Sequence, residues 1–383
     1  MLWSEMSTLP ARFLGRVGLV ALPLLALLAA CGGAAVPPSA ALPTPPSATP
    51  APTAPPTPRP TPTEPAVPQL RTLAARRDFY VGAAVSADAL RADAEYARVL
   101  AESYNQLTPE NVMKFGLIHP ARDRYYWAPA DALVDFAEAH GMRVHGHTLL
   151  WHQELPGWVT AGKLTPEAAR AALHDHIAQV VGRYKGRIAE WDVVNEAIGD
   201  GGAPRDTPWR QLIGPEYIEL AFRWAHEADP DAKLFYNDYN GEELNAKSDA
   251  IFALVRDLKS RGVPIDGVGL QMHISLAGRP DTDALARNMR RLADLGLLVH
   301  VSEMDVRVPI PADAGTLKSQ GRAFREVLQV CLAAPSCHEF TTWGFTDKYS
   351  WVPGFFPGFG AALPFDEQLR PKPAYAALME ALR

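Results

Sequence analysis

Cysteine is scarce in this chain of 383 residues, which has three, at positions 31, 331 and 337. Nothing around them has the Cys/His spacing of a zinc site, so a thiolate-built metal centre is excluded. An excess of positive charge is lacking too. The net charge is −6 and the pI about 6.0, which excludes the basic face that nucleic-acid binding needs. A membrane-length apolar run is also missing. The run from Val17 to Ala30 covers about 14 residues, short of the ~20 that a span requires.

That run has another reading. Arg12 and Arg16 precede it, and it ends in Leu28-Ala29-Ala30-Cys31. A positive region followed by a short apolar one is the pattern of an export signal. Its end resembles the bacterial lipoprotein cleavage box, so residues 1–31 are expected to be a signal segment, with Cys31 lipidated as the first mature residue. Residues 32–69 then read as a linker. Of the 35 prolines, 14 fall between Val36 and Pro68, and a stretch of Pro, Thr and Ala buries too little apolar surface to offset chain entropy. Residues 70–383 remain, long enough for one large α/β barrel. In an exported protein Cys331 and Cys337, six apart, are expected to form a disulfide.

Within that domain short apolar runs alternate with longer amphipathic stretches, the mark of repeated βα units. Eight strands are expected: Phe79–Val85, Tyr104–Thr108, Arg143–Leu149, Ile188–Val194, Lys233–Tyr236, Gly267–Met272, Leu297–Ser302 and Phe340–Trp343. Helices are expected at Ala130–His140, Pro166–Tyr184, Pro215–Glu227, Ala246–Arg261, Asp283–Leu295 and Thr316–Ala333. Gly141, Gly262 and Gly296 follow three of them, where a left-handed cap suits glycine.

Nearly every expected strand runs into polar and aromatic residues: Pro109-Glu110-Asn111 to Lys114, His147 to Trp151-His152, Asn195-Glu196, Asn237-Asp238-Tyr239, Gln271-Met272-His273, Glu303-Met304-Asp305 and Trp343. In an eight-stranded (β/α)8 TIM barrel the carboxyl ends share one rim, where catalytic sites are built. Two acids stand out there, Glu196 after strand four and Glu303 after strand seven. One glutamate at a strand end is ordinarily a salt-bridged structural acid. Two on one rim, among sugar-binding residue types, suit glycoside hydrolysis, which uses a proton donor and a nucleophile or base. The charge on one is expected to raise the pKa of the other.

The motifs Asp192-Val-Val-Asn195-Glu196 and Val301-Ser-Glu303-Met-Asp305 resemble those of glycoside hydrolase family 10. So do Thr108-Pro-Glu110-Asn111-Val-Met-Lys114, Gly146-His147-Thr-Leu-Leu-Trp151-His152, Gln271-Met-His273 and Thr342-Trp343-Gly, in family order over about residues 76–380. The resemblance implies a retaining endo-β-1,4-xylanase with Glu196 as acid/base and Glu303 as nucleophile. Asn195 would bind the sugar 2-hydroxyl, and His273, backed by Asp305, would orient Glu303. Lys114, His147 and Gln271 would line the sugar at the cleaved bond, and Glu110 and Asn111 the next one outwards. Trp151, Trp343 and Trp351 would form aromatic walls, with Tyr239 on the leaving-group side. Asp192, His152 and Asp238 read as supporting residues without an assigned role.

The expected partners are xylan, xylo-oligosaccharides and a membrane reached through the lipid anchor, with the chain acting as a monomer at the cell surface. The chemistry calls for no cofactor, and no ligand cluster in the sequence calls for a metal. An endo-glucanase or mannanase, and a lipoprotein that only binds polysaccharide, are the rival readings.

Overall fold

A computed structural model describes residues 69–383. The expected signal segment, Cys31 and the linker up to Pro68 lie outside the described residues.

All eight expected strands form: Tyr80–Val85, Gln106–Pro109, Arg143–Leu150, Glu190–Asn195, Lys233–Asp238, Gly267–Leu270, Leu298–Pro309 and Glu339–Thr342. Each pairs in parallel with the next, and the eighth also pairs with the first, at Tyr80↔Glu339 through Ala83↔Thr342. The sheet therefore closes on itself as a (β/α)8 barrel. Its strands are almost wholly buried because side chains face a packed interior on one side and helices on the other.

Local signals in the sequence account for the helices. In Pro166–Arg183 the Thr165 side chain accepts from the Ala168 N–H, and proline takes the first helical position, where no N–H is needed. Asn245 and Ser248 cap Ala246–Ser260 reciprocally. Gly141, Gly262 and Gly296 have φ of +60°, +66° and +75°. Helices Ala94–Ser103, Pro208–Ile213 and Pro373–Leu382 add to the expected set.

Two strands depart from expectation, and both shape the site. The sixth stops at Leu270, because Met272 takes a φ of +66°. The seventh does not stop at Ser302 but runs on to Pro309, held by the short strands His273–Ser275 and Phe359–Gly360. Glu303 and Asp305 therefore sit inside a paired strand rather than beyond its end. The register His273↔Asp305 sets that histidine beside them.

Candidate active site

Glu196 is the residue directly after the fourth strand, and it has a φ of +58°. A non-glycine residue in that region costs about 1–3 kcal/mol and persists where surrounding contacts fix it. Here the contacts are plain. The Trp151 indole N–H donates to Glu196 Oε2 at 2.9 Å, and Gln271 Nε2 donates to Oε1 at 3.1 Å.

Glu303, only 4% exposed, has a different set of partners. Asn237 Nδ2 donates to its Oε1 at 2.6 Å, and His273 Nε2 lies 3.1 Å from its Oε2. The two carboxyl groups belong to one network. Asn195 Oδ1 accepts from Asn237 Nδ2 at 2.9 Å and from Gln271 Nε2 at 3.2 Å, so Glu303, Asn237, Asn195, Gln271 and Glu196 form a continuous chain. A close approach of backbone permits this. A Cβ on Gly269 would fall 2.2 Å from Asn237 Oδ1, which accepts from the Ser302 hydroxyl at 2.7 Å.

The electrostatics separate the two acids. Burial raises the pKa of Glu196 most strongly, with the charges of Asp238 and then Glu303 adding to it, against the donors Trp151 and Gln271. The mutual repulsion expected from the sequence is thus present but follows burial and Asp238 in weight. Burial opposes charge on His273, but Asp305 and Glu303 outweigh it and lift this imidazole to about 10. It is therefore a cation at neutral pH, donating from Nδ1 to Asp305 Oδ2 at 2.8 Å and from Nε2 to Glu303.

The remaining expected residues gather around these. Lys114 Nζ donates to Asn111 Oδ1 at 2.8 Å and lies 5.0 Å from the Trp151 ring. Burial lowers the pKa of Lys114 against the attraction of Glu303, Glu110, Glu154 and Glu196, and burial raises that of Glu110. His147 Nδ1 meets Asp192 Oδ2 at 2.8 Å, which gives Asp192 the role of holding this ring. Trp343 packs edge-on to His147 at 5.0 Å and to His273 at 6.2 Å. Trp151 and Trp351 do more than present apolar faces. Their indole N–H groups donate to Glu196 and to Asp305 Oδ2, the latter at 2.8 Å.

The Tyr239 hydroxyl accepts from Arg205, whose Nε also donates to the Glu196 carbonyl. Lys247 Nζ sits 3.4 Å from the Tyr239 ring centroid and 2.8 Å from Asp238 Oδ1. Burial and the cations Arg205 and Lys247 push His152 down to about 3, so it is neutral. Cys331 and Cys337 are joined as a disulfide.

Arg205 and Lys247 escaped the sequence reading, and Asn237, placed there in the rim cluster after the fifth strand, was given no role. The register of the fourth and fifth strands sets it opposite Asn195.

A barrel with two differently held carboxyl groups at its carboxyl rim, lined by amides, imidazoles and indoles, defines a glycoside-hydrolase type of site. Residues 69–381 match glycosyl hydrolase family 10, and the chain belongs to that family. It is 46% identical to endo-1,4-beta-xylanase B of Thermotoga neapolitana over 314 residues, 81% of this chain and 90% of that protein. Its fold matches xylanase 10B of Thermotoga petrophila, solved with xylobiose, at TM-score 0.80 and 49% identity, covering 82% of this chain and 97% of that one. Native xylanase 10B of Thermotoga maritima matches at TM-score 0.80 and 50% identity over 82% and 98% of the two chains.

Proposed function

We propose that this chain is an endo-1,4-β-xylanase that cuts xylan by retaining double displacement, with Glu303 as nucleophile and Glu196 as acid/base. The observation that carries the assignment is the inequivalence of the two acids. Glu303 has a cationic imidazole on one oxygen and an amide donor on the other. Glu196 is raised by burial and by Asp238, which favours its protonated form.

In the first step a Glu303 oxygen bonds to the anomeric carbon while the glycosidic C–O bond breaks and Glu196 protonates the departing oxygen. Esterified Glu303 carries no charge, so its contribution to raising Glu196 disappears. The Glu196 carboxylate then takes a proton from water, whose oxygen attacks the same carbon and frees Glu303. Two inversions leave the configuration retained.

In this reading Asn195, whose Oδ1 accepts from Asn237 and Gln271, binds the 2-hydroxyl. Lys114, His147 and Gln271 line the sugar being cleaved, Glu110 and Asn111 the next. Relative rates on xylan, carboxymethyl cellulose and mannan test the substrate assignment. Release from xylan far above the other two is expected, and equal or faster release from cellulose overturns it.

We further propose that the protein is exported and held at a cell surface by lipid on Cys31, a reading supported by Leu28-Ala29-Ala30-Cys31 and the proline-rich stretch after it. Cys31→Ser should move the enzyme from the membrane fraction to the soluble one. An unchanged distribution contradicts the anchor.

A further inference from the structure

Below the carbohydrate site the barrel interior holds four titratable side chains that the reaction does not use. His145, Glu190, His300 and Glu339 come from the third, fourth, seventh and eighth strands and are at most 2% exposed. One ligand atom from each lies within 4.8 Å of all the others. His145 Nδ1 is 3.4 Å from Glu190 Oε2 and 3.1 Å from Glu339 Oε2. His300 Nδ1 is 3.6 and 3.4 Å from the same two oxygens. Bonds of about 2.0–2.1 Å in a tetrahedron set neighbouring ligand atoms about 3.3–3.5 Å apart. Four of the six edges are therefore already close to that spacing.

The outer atoms of three of these groups are engaged so that the inner ones converge. Glu339 Oε1 accepts from the Thr341 hydroxyl at 2.8 Å, and Glu190 Oε1 is paired with Arg143. His145 Nε2 meets Asp192 Oδ1 at 3.1 Å, the carboxylate–histidine arrangement that fixes a metal-binding tautomer. An independent sign comes from unsatisfied atoms. Glu190 Oε2 and His300 Nδ1, two of the four converging atoms, make no hydrogen bond of good geometry among the described residues, each lying 3.4 Å from another of the four, a costly condition at full burial.

We infer that His145 Nδ1, His300 Nδ1, Glu190 Oε2 and Glu339 Oε2 form a structural site for one divalent metal of the zinc type. Two imidazoles and two carboxylates suit zinc, and the carboxylates match its charge. With four protein ligands the ion has no open position, so it braces four strands and takes no part in hydrolysis. Asp192 joins it to the sugar site, since its other oxygen holds His147.

The test uses the full chain without a polyhistidine tag, produced and refolded with zinc and then dialysed against a chelator. About one zinc per chain is expected, with an anomalous peak at the zinc edge between the four residues. Cobalt refolding should give the visible absorption of a four-coordinate ion, and His300→Gln should abolish loading. Metal well below one per chain, a peak elsewhere, or full loading of His300→Gln overturns the site. If that variant does not fold, the anomalous map of the natural sequence decides alone.

Discussion

The side-chain nitrogen of Asn237 lies 2.6 Å from Glu303 and also donates to Asn195 at 2.9 Å. One amide thus fixes the Glu303 carboxyl group relative to the side chain assigned to the sugar 2-hydroxyl. A hydrogen bond to a charged group contributes about 1.5–3 kcal/mol. Asn237→Ala should lower kcat about 10- to 100-fold, with a smaller effect on KM, because the loss falls on the attacking group. Steady-state kinetics on an aryl xylobioside check this.

Trp151 donates to Glu196 in a way that opposes the upward shift of that acid. Trp151→Phe removes a partner of the ionised form, so Glu196 should hold its proton to higher pH. The alkaline limb of kcat/KM is expected to move upward, by up to about one unit. A downward movement contradicts the assignment of that limb to Glu196.

His273 sets a pH dependence of stability whose sign follows from its shift. Its proton is bound more tightly in the folded chain, about 10 against an ordinary 6.5. The stabilisation is therefore complete below 6.5 and is lost as the pH rises through about 10. Denaturant unfolding across that window should show the stability gap between the natural protein and His273→Gln narrowing as pH rises.

The Cys331–Cys337 disulfide closes a loop of six residues just before the eighth strand, away from the carboxyl rim. Loop-closure entropy for so short a loop corresponds to about 2 kcal/mol. Replacing both cysteines by serine should lower stability by about that amount and leave kcat unchanged, as unfolding and activity assays will show.

Much of this was legible in the sequence. Each barrel strand is a short apolar run, and the polar cluster after it announces the rim, so Glu196, Glu303, His273 and Asp305 could be placed together before any coordinates. The length of the seventh strand was not legible, because it depends on pairing with His273–Ser275, a partner distant in the chain. Nor was the bond of Asn237 to Glu303, 66 residues away, or the weight of Asp238 in raising Glu196. The His145, Glu190, His300 and Glu339 cluster stayed hidden for the same reason. Each is one polar residue in a buried strand, and only barrel closure sets the four face to face.

Glu196→Ala should lose far more activity on xylan than on aryl glycosides, whose leaving groups need no proton, whereas Glu303→Ala should lose about 10⁴-fold or more on both. The most direct measurement traps the covalent intermediate. The natural enzyme is incubated with a 2-fluoro-xylobioside bearing a dinitrophenyl leaving group, then digested and sequenced by mass spectrometry. The expected result is one fluoroxylobiosyl group per chain, on the peptide containing Glu303 and on that residue. A label on another carboxylate, or continued turnover with no label, contradicts the assignment of Glu303 as nucleophile.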